Sequence, residues 1–460
     1  MRTTFLCKKN IALCLGAILL PSVYAQHCDS DNLLIATAGG ALTVPLPIEI
    51  NSDGSALADP LRKQVRRGEA FFNSSFFAAP SKARQRDGLG PLFNASACAN
   101  CHSRSGRRFL AEDGKDLSAM QVVQFSQQQA DGRWAPHAIY GENLNPAAIE
   151  GLVPEGRASI DWQPTSLAGM GPLFSTLRQP QLVFHNMAQG EPGANTVWSV
   201  RTAQPMFGMG LLAGTPDADI LAYADPDDTD NNGISGRPNW INIQGKTQLG
   251  RFGWKANHPT LRSQITAALL NEQGITSSDR PEQNCSPAQL DCRNMPDGGK
   301  PEISDADLEA ILLFVRLFPV PQRRGLNSQQ VRQGAALFTG IACDQCHRPT
   351  LATAAHTIAA LSEQTFYPYT DLLLHDMGKE LADHRPDHSA NGFEWRTAPL
   401  WGVGLPPALG LPVCYLHDCR AATLEEAILW HGGEGASSRA AYTQLNTTQR
   451  QAVIAFLKSL

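Results

Sequence analysis

The pattern cysteine, two residues, cysteine, histidine occurs twice in this chain, as Cys98-Ala99-Asn100-Cys101-His102 and as Cys343-Asp344-Gln345-Cys346-His347. No other feature limits the fold so tightly. Two thiols at this spacing can add to both vinyl groups of one haem while the adjacent histidine reaches the iron from the proximal face. A single motif of this kind also occurs in zinc and redox sites. Two of them behind an export signal point to two covalently attached haems.

Each motif follows the same short phrase: Gln64-Val65-Arg66-Arg67-Gly68-Glu69-Ala70-Phe71-Phe72 before the first, and Gln330-Val331-Arg332-Gln333-Gly334-Ala335-Ala336-Leu337-Phe338 before the second. This is an internal repeat. Each unit also closes on an amphipathic helix. Leu308, Ile311, Leu312 and Val315 in the first, and Val453, Phe456, Leu457 and Leu460 in the second, keep the i, i+3, i+4, i+7 spacing of one helix face. Ser304 with Asp307 three residues on makes a capping box for the first of them. A helix before the haem packed on a helix after it predicts a mainly α protein of two tandem cytochrome c-like haem domains. Their expected limits are 60–322 and 323–460, joined near Pro319-Val320-Pro321 and preceded by an N-terminal segment 26–59. The first unit holds about 200 residues between its haem motif and its closing helix. This insertion is expected to be loops and short helices over the haem, a place for substrate or partner contact.

Arg2, Lys8 and Lys9 precede the apolar run Ile11 to Leu20, followed by Pro21 and the small-residue site Val23-Tyr24-Ala25. This predicts a signal peptide, 1–25, cleaved before Gln26. The run is short of the ~20 residues that a membrane span needs, and no later segment reads as a span. Cys7 and Cys14 leave with the signal, and nine of the 11 cysteines stay. Outside the haem motifs these are Cys28, Cys285, Cys292, Cys414 and Cys419. Pairing Cys285 with Cys292 and Cys414 with Cys419 suits an oxidising compartment, the periplasm, and leaves Cys28 odd. A net charge of -5 gives no basic footprint for nucleic acid or an anionic membrane.

Five longer phrases run through the mature chain: Arg67-Gly68-Glu69-Ala70-Phe71-Phe72, Asp87-Gly88-Leu89-Gly90-Pro91-Leu92-Phe93-Asn94, Leu249-Gly250-Arg251-Phe252-Gly253-Trp254-Lys255-Ala256, Leu372-Leu373-Leu374-His375-Asp376-Met377-Gly378, and Leu416-His417-Asp418 with Thr423-Leu424-Glu425-Glu426-Ala427. In this combination the chain resembles the bacterial di-haem cytochrome c peroxidase superfamily and, within it, the di-haem oxidoreductase group that carries a thiol-oxidoreductase label. The resemblance implies that the C-terminal haem stores electrons and takes its sixth ligand from the helix after a His-Asp-Gly phrase. Fourteen residues after His417 stands His431, where the peroxidases usually have Met. A His347/His431 pair implies a six-coordinate, low-potential haem, because imidazole in place of thioether lowers the potential. Cys419 departs from the family's Gly.

At the N-terminal haem the resemblance implies peroxide chemistry. Trp254 would bridge the haems, Gln264 would be the distal hydrogen-bond donor, and Glu272 would be the acid, eight residues after Gln264 where the peroxidases place Glu at ten. Splitting a peroxide O–O bond needs an open iron, a group that moves a proton from the near to the far oxygen, and a donor that stabilises the developing charge. A carboxyl raised by an apolar pocket can do the first of these protein tasks and an amide the second.

Asp228-Thr229-Asp230-Asn231-Asn232-Gly233 carries the first half of a calcium-loop pattern, with Asp228, Asp230 and Asn232 as ligands; Asn239 stands at the twelfth position in place of Glu. A solvated acidic turn is the other reading. His375 is expected to line the second haem or its propionates, and His417 to support it by hydrogen bonding. Met206, Met209, His185 and His258 are further candidates for the sixth ligand of the first haem. The expected function is a periplasmic di-haem oxidoreductase of the peroxidase type. Electrons from a small cytochrome or cupredoxin would enter at the His347 haem, pass Trp254 and reduce a small oxidant such as peroxide at the His102 haem. The alternatives are a non-catalytic electron carrier with two six-coordinate irons, or a haem enzyme that oxidises a partner protein. The cysteines outside the motifs offer no redox pair that supports thiol oxidation.

Overall fold

The computed structural model describes residues 38–44, 59–83, 85–102, 117, 120–167, 177–408 and 414–460; the expected signal peptide and Cys28 lie outside these. Five helices position the sites: α1 (Asp59–Asn73), α2 (Leu261–Gln273), α3 (Asp305–Arg316), α4 (Gln329–Gly340) and α5 (Thr447–Ser459). The repeat in sequence is a repeat in space. α1 packs on α3, and α4 packs on α5, through the same contacts. A Cβ on Gly68 would stand 1.9 Å from the Ala310 carbonyl oxygen, and one on Gly334 would stand 1.9 Å from that of Ala452. Only glycine allows the backbones to approach so closely. Phe72 then meets Phe314 at 5.2 Å, and Phe338 meets Phe456 at 5.2 Å. Leu308, Ile311, Leu312 and Val315 are all buried, each contributing about 1.5–3 kcal/mol. Ser304 caps α3 by accepting from the Asp307 N–H at 3.2 Å.

The expectation of a mainly α protein is overturned. The fold is mixed, 31% helical and 20% strand, with seven small sheets among the described residues. Much of the strand lies where loops and short helices were expected. Strand β1 (Gln121–Gln128) pairs antiparallel with β4 (Thr196–Thr202), and β2 (Arg157–Thr165) forms a long hairpin with β3 (Leu177–His185). Val122, Val123, Phe125, Val197, Trp198 and Val200 are strand formers, so the pattern was present. Pro164 and Pro180 inside the hairpin argue against strand, yet a two-stranded ribbon consists only of edges, where proline is tolerated.

The two halves interlock. The core around α1 and α3 also takes Leu372, Leu373, Trp401 and Leu405 from beyond residue 323, and the core around α4 and α5 takes Leu167 and Leu177 from the hairpin. Strands β5 (Leu374–Asp376) and β6 (Glu394–Arg396) pair antiparallel, setting His375 opposite Trp395 and Leu374 opposite Arg396. Disulfides join Cys285 to Cys292 and Cys414 to Cys419. Among the described residues no helix is long and apolar enough to cross a membrane.

Candidate functional site

Both Cys-x-x-Cys-His motifs close the same turn: the His102 N–H donates to the Cys98 carbonyl at 2.9 Å, and the His347 N–H donates to that of Cys343 at 3.0 Å. The turn gathers two sulfurs and one imidazole at the mouth of a cavity. Phe72 stands 6.3 Å from the His102 ring, and Phe338 stands 6.3 Å from the His347 ring. Among the described residues the four motif cysteines form no disulfide. Burial pushes the Cys98 thiol up to about 11 and the Cys343 thiol up to about 12. The cavities measure about 230 and 220 Å³, so their lining, not their size, distinguishes them.

The second cavity is closed by two histidines. His347 and His431 face each other with ring centroids 6.5 Å apart. An imidazole nitrogen binds a metal at about 2.0–2.1 Å and lies roughly 1.1 Å from its own ring centre, so two imidazoles opposed across one ion stand roughly 6.3 Å apart. Each Nδ1 is spent on a backbone carbonyl, His347 on Tyr369 at 3.0 Å and His431 on Ala427 at 2.8 Å. A carbonyl only accepts, so Nδ1 carries the proton and Nε2 keeps its lone pair for a metal. Burial pushes His347 down to about 4 and lowers His431 too. His431 sits just past the short helix Leu424–Leu429, which Thr423 caps by accepting from the Glu426 N–H at 3.0 Å.

His375 lines this cavity. Its Nε2 meets Asp371 at 2.9 Å and its Nδ1 meets Glu434 at 2.6 Å. Burial alone would lower it, but these carboxylates hold it well above the ordinary histidine range. His417 also lines the cavity, lying flat on Trp395 with centroids 3.7 Å apart and planes at 15°.

The first cavity presents one face of a helix. Leu261, Gln264, Ile265, Ala268, Leu269 and Glu272 all line it from α2. Eight residues bring Glu272 back within about a quarter turn of Gln264 at 3.6 residues per turn. The loose spacing in sequence therefore still brings both to one cavity. The Glu272 carboxyl is pushed up to about 7 by burial. Among the described residues nothing donates to Gln264 Oε1, nor to Asn257 Oδ1 and Gln124 Oε1, two further amides that line the cavity and that the sequence did not single out. Met206, Met209 and His258 line the same cavity. His185 does not; it is exposed on β3, with Ser159 Oγ at 2.7 Å.

Trp254 lines both cavities. Its indole N–H donates to the Thr202 carbonyl at 2.7 Å, and its ring meets that of His417 edge-on at 6.4 Å. Beside it Lys255, wholly buried, donates to Asp383 at 2.7 Å and sits 4.6 Å over the Trp395 ring. Burial pushes the Lys255 ammonium down to about 8. Arg201 binds Asp387 at 2.6 Å. Trp395, Arg396 and Arg201 escaped sequence reasoning because no motif marks them; only the β5–β6 pairing and the chain crossing bring them to the cavities.

At the acidic turn Asp228 and Asp230 come together with Asp225, which the pattern did not include. The Asn232 side chain is turned to its own loop, donating to Asp230 at 2.9 Å and accepting from the Ile234 N–H at 2.7 Å. Asn239, at the twelfth position, is buried elsewhere and donates to the Lys255 and Asp387 carbonyls.

The family model described as "di-haem oxidoreductase, putative peroxidase" matches residues 52–128 and 191–460, about three quarters of the chain. The uncovered stretch holds the β2–β3 hairpin. A comparison with curated proteins finds no match.

Proposed function

Because this chain belongs to the di-haem oxidoreductase family, we propose that it is a periplasmic peroxidase with two covalently attached haems, exported by cleavage before Gln26 and fed by a small cytochrome or cupredoxin. The observation that carries the reading is the unlike equipment of the two cavities. One is closed by the opposed imidazoles of His347 and His431, a set suited to electron storage. The other offers a helix face with the Gln264 amide and a carboxyl pushed up to about 7, a set suited to proton transfer.

Bound haem supplies electron storage and the oxygen–oxygen bond chemistry. Reducing a peroxide to two waters takes two electrons and two protons. Glu272 accepts the proton of the near oxygen and returns it to the far one, and near neutral pH its carboxyl can do both. The Gln264 amide orients the peroxide. Trp254, in the wall of both cavities, relays electrons from the second site to the first. The apolar lining from Phe72, Leu212, Phe252 and Leu261 keeps water out and strengthens each polar contact inside. The reading also includes a calcium ion at the acidic turn, with Asp225 joining Asp228 and Asp230 in place of Asn232.

Electron paramagnetic resonance and cyanide titration of the holoprotein test this reading. The expected result is one low-spin bis-histidine haem and one haem that binds cyanide, with peroxide turnover that cyanide inhibits. Two low-spin haems in every redox state would leave a non-catalytic carrier.

A further inference from the structure

Burying a charge is costly unless an opposite charge is held against it, and around the two cavities the chain obeys this at almost every point. Arg201 has Asp387 and Asp383, Lys255 has Asp383, Arg385 has Asp387, and Arg420 has Asp418. Arg396 is the exception. It is buried and lines both cavities. Among the described residues no carboxylate hydrogen-bonds its guanidinium, and Asp371 acts on it through charge alone. Its Nε donates to the Gly253 carbonyl at 2.8 Å, and one Nη donates weakly to the Thr397 carbonyl at 3.4 Å. A guanidinium has five N–H donors in a planar fork, and among the described residues the protein accepts from only these two.

Nearby acids are already committed. Asp371 holds His375 at 2.9 Å and accepts from the Leu373 N–H, and Glu394 holds Arg237 at 2.5 Å. The position is also fixed: the Arg396 N–H donates to the Trp254 carbonyl at 2.9 Å, and β6 is clamped to β5. A guanidinium fixed in the wall between two cavities with no carboxylate hydrogen-bonded to it calls for an anion delivered with whatever fills them. Haem brings carboxylates, and arginine binds carboxylates through two parallel N–H donors.

The geometry points to Arg396 as a propionate-binding residue shared by the two haems, one buried cation that takes carboxylate from the cavity on either side and sets both potentials together. It acts as a positioning residue, beside the Trp254 backbone. A cation near a haem favours the reduced iron, since reduction adds negative charge, so both potentials depend on it. The inference rests on placing a haem in each cavity, and it holds whether or not the protein reduces peroxide.

The test is spectroelectrochemical titration of the holoprotein in the wild type, R396M and R396K. R396M is expected to lower both midpoint potentials, and R396K, which keeps the charge and loses the fork, to recover part of each. Movement of one potential alone, or of neither, overturns the shared role. Should R396M fail to retain haem, resonance Raman spectra of R396K decide: the propionate-bending bands of both haems shift if the inference holds and stay in place if it fails. A pyridine haemochrome count below two in the wild type would instead overturn the haem placement itself.

Discussion

Trp254 donates its indole N–H to the Thr202 carbonyl at 2.7 Å, and the Thr202 N–H in turn donates to the His417 carbonyl at 2.7 Å. The tryptophan in the wall of both cavities is thus bonded through one residue to the loop that leads to His431. Replacing Trp254 by Phe keeps an aromatic ring but removes the indole and its hydrogen bond. W254F is expected to leave both haem spectra in place and to slow peroxide turnover by about tenfold or more, a barrier increase of about 1.4 kcal/mol. Stopped-flow mixing of the reduced protein with peroxide measures it; unchanged electron transfer would remove Trp254 from the path.

His431→Met exchanges imidazole for thioether opposite His347. One haem potential should rise and the other should hold. A potentiometric titration resolves the two, and a spectrum and potential identical to wild type would place the sixth ligand elsewhere.

Glu272 is expected to set the pH profile. Its carboxyl is raised by burial to about 7, so it is protonated below that pH and ionised above it. As the base that first accepts the peroxide proton it must be ionised, so turnover is expected to fall as pH drops through about 7. E272Q should lose that limb and about 10²–10⁴-fold of the rate. An E272Q enzyme with the wild-type profile would dismiss the role.

Gly334 carries the second helix crossing, where an added Cβ would stand 1.9 Å from the Ala452 carbonyl oxygen. G334A must push α4 off α5, and overpacking of this kind costs about 1–3 kcal/mol. Thermal unfolding of the holoprotein should show a lowered midpoint. A midpoint equal to wild type would mean that the helix pair can open there without cost.

At the acidic turn, D228N with D230N removes two of three clustered carboxylates. Calorimetry should record calcium binding to the wild type and none to the double variant. Absence of heat with the wild type leaves the turn as a solvated loop.

The sequence by itself determined the parts of this protein in which chemistry is local. The two attachment motifs, their leading phrases and the stripes of the closing helices were all legible, because thiol spacing, helical periodicity and the two close glycines act over a few residues or repeat. The near-neighbour disulfides were legible for the same reason. His431 was reachable by its distance from His417, and α2 carried Gln264 and Glu272 to one cavity despite their uneven spacing.

Tertiary structure decided the rest. The extent of strand escaped because Pro164 and Pro180 mask a hairpin that has only edges, and because strand pairing depends on partners distant in sequence. That Trp254 belongs to both cavities, that His417 lies on Trp395, and that Arg396 hydrogen-bonds no carboxylate among the described residues are relations that no local spacing in the sequence carries. A sequence names such groups but cannot say which of them meet, because burial and pairing of charge are properties of the folded interior.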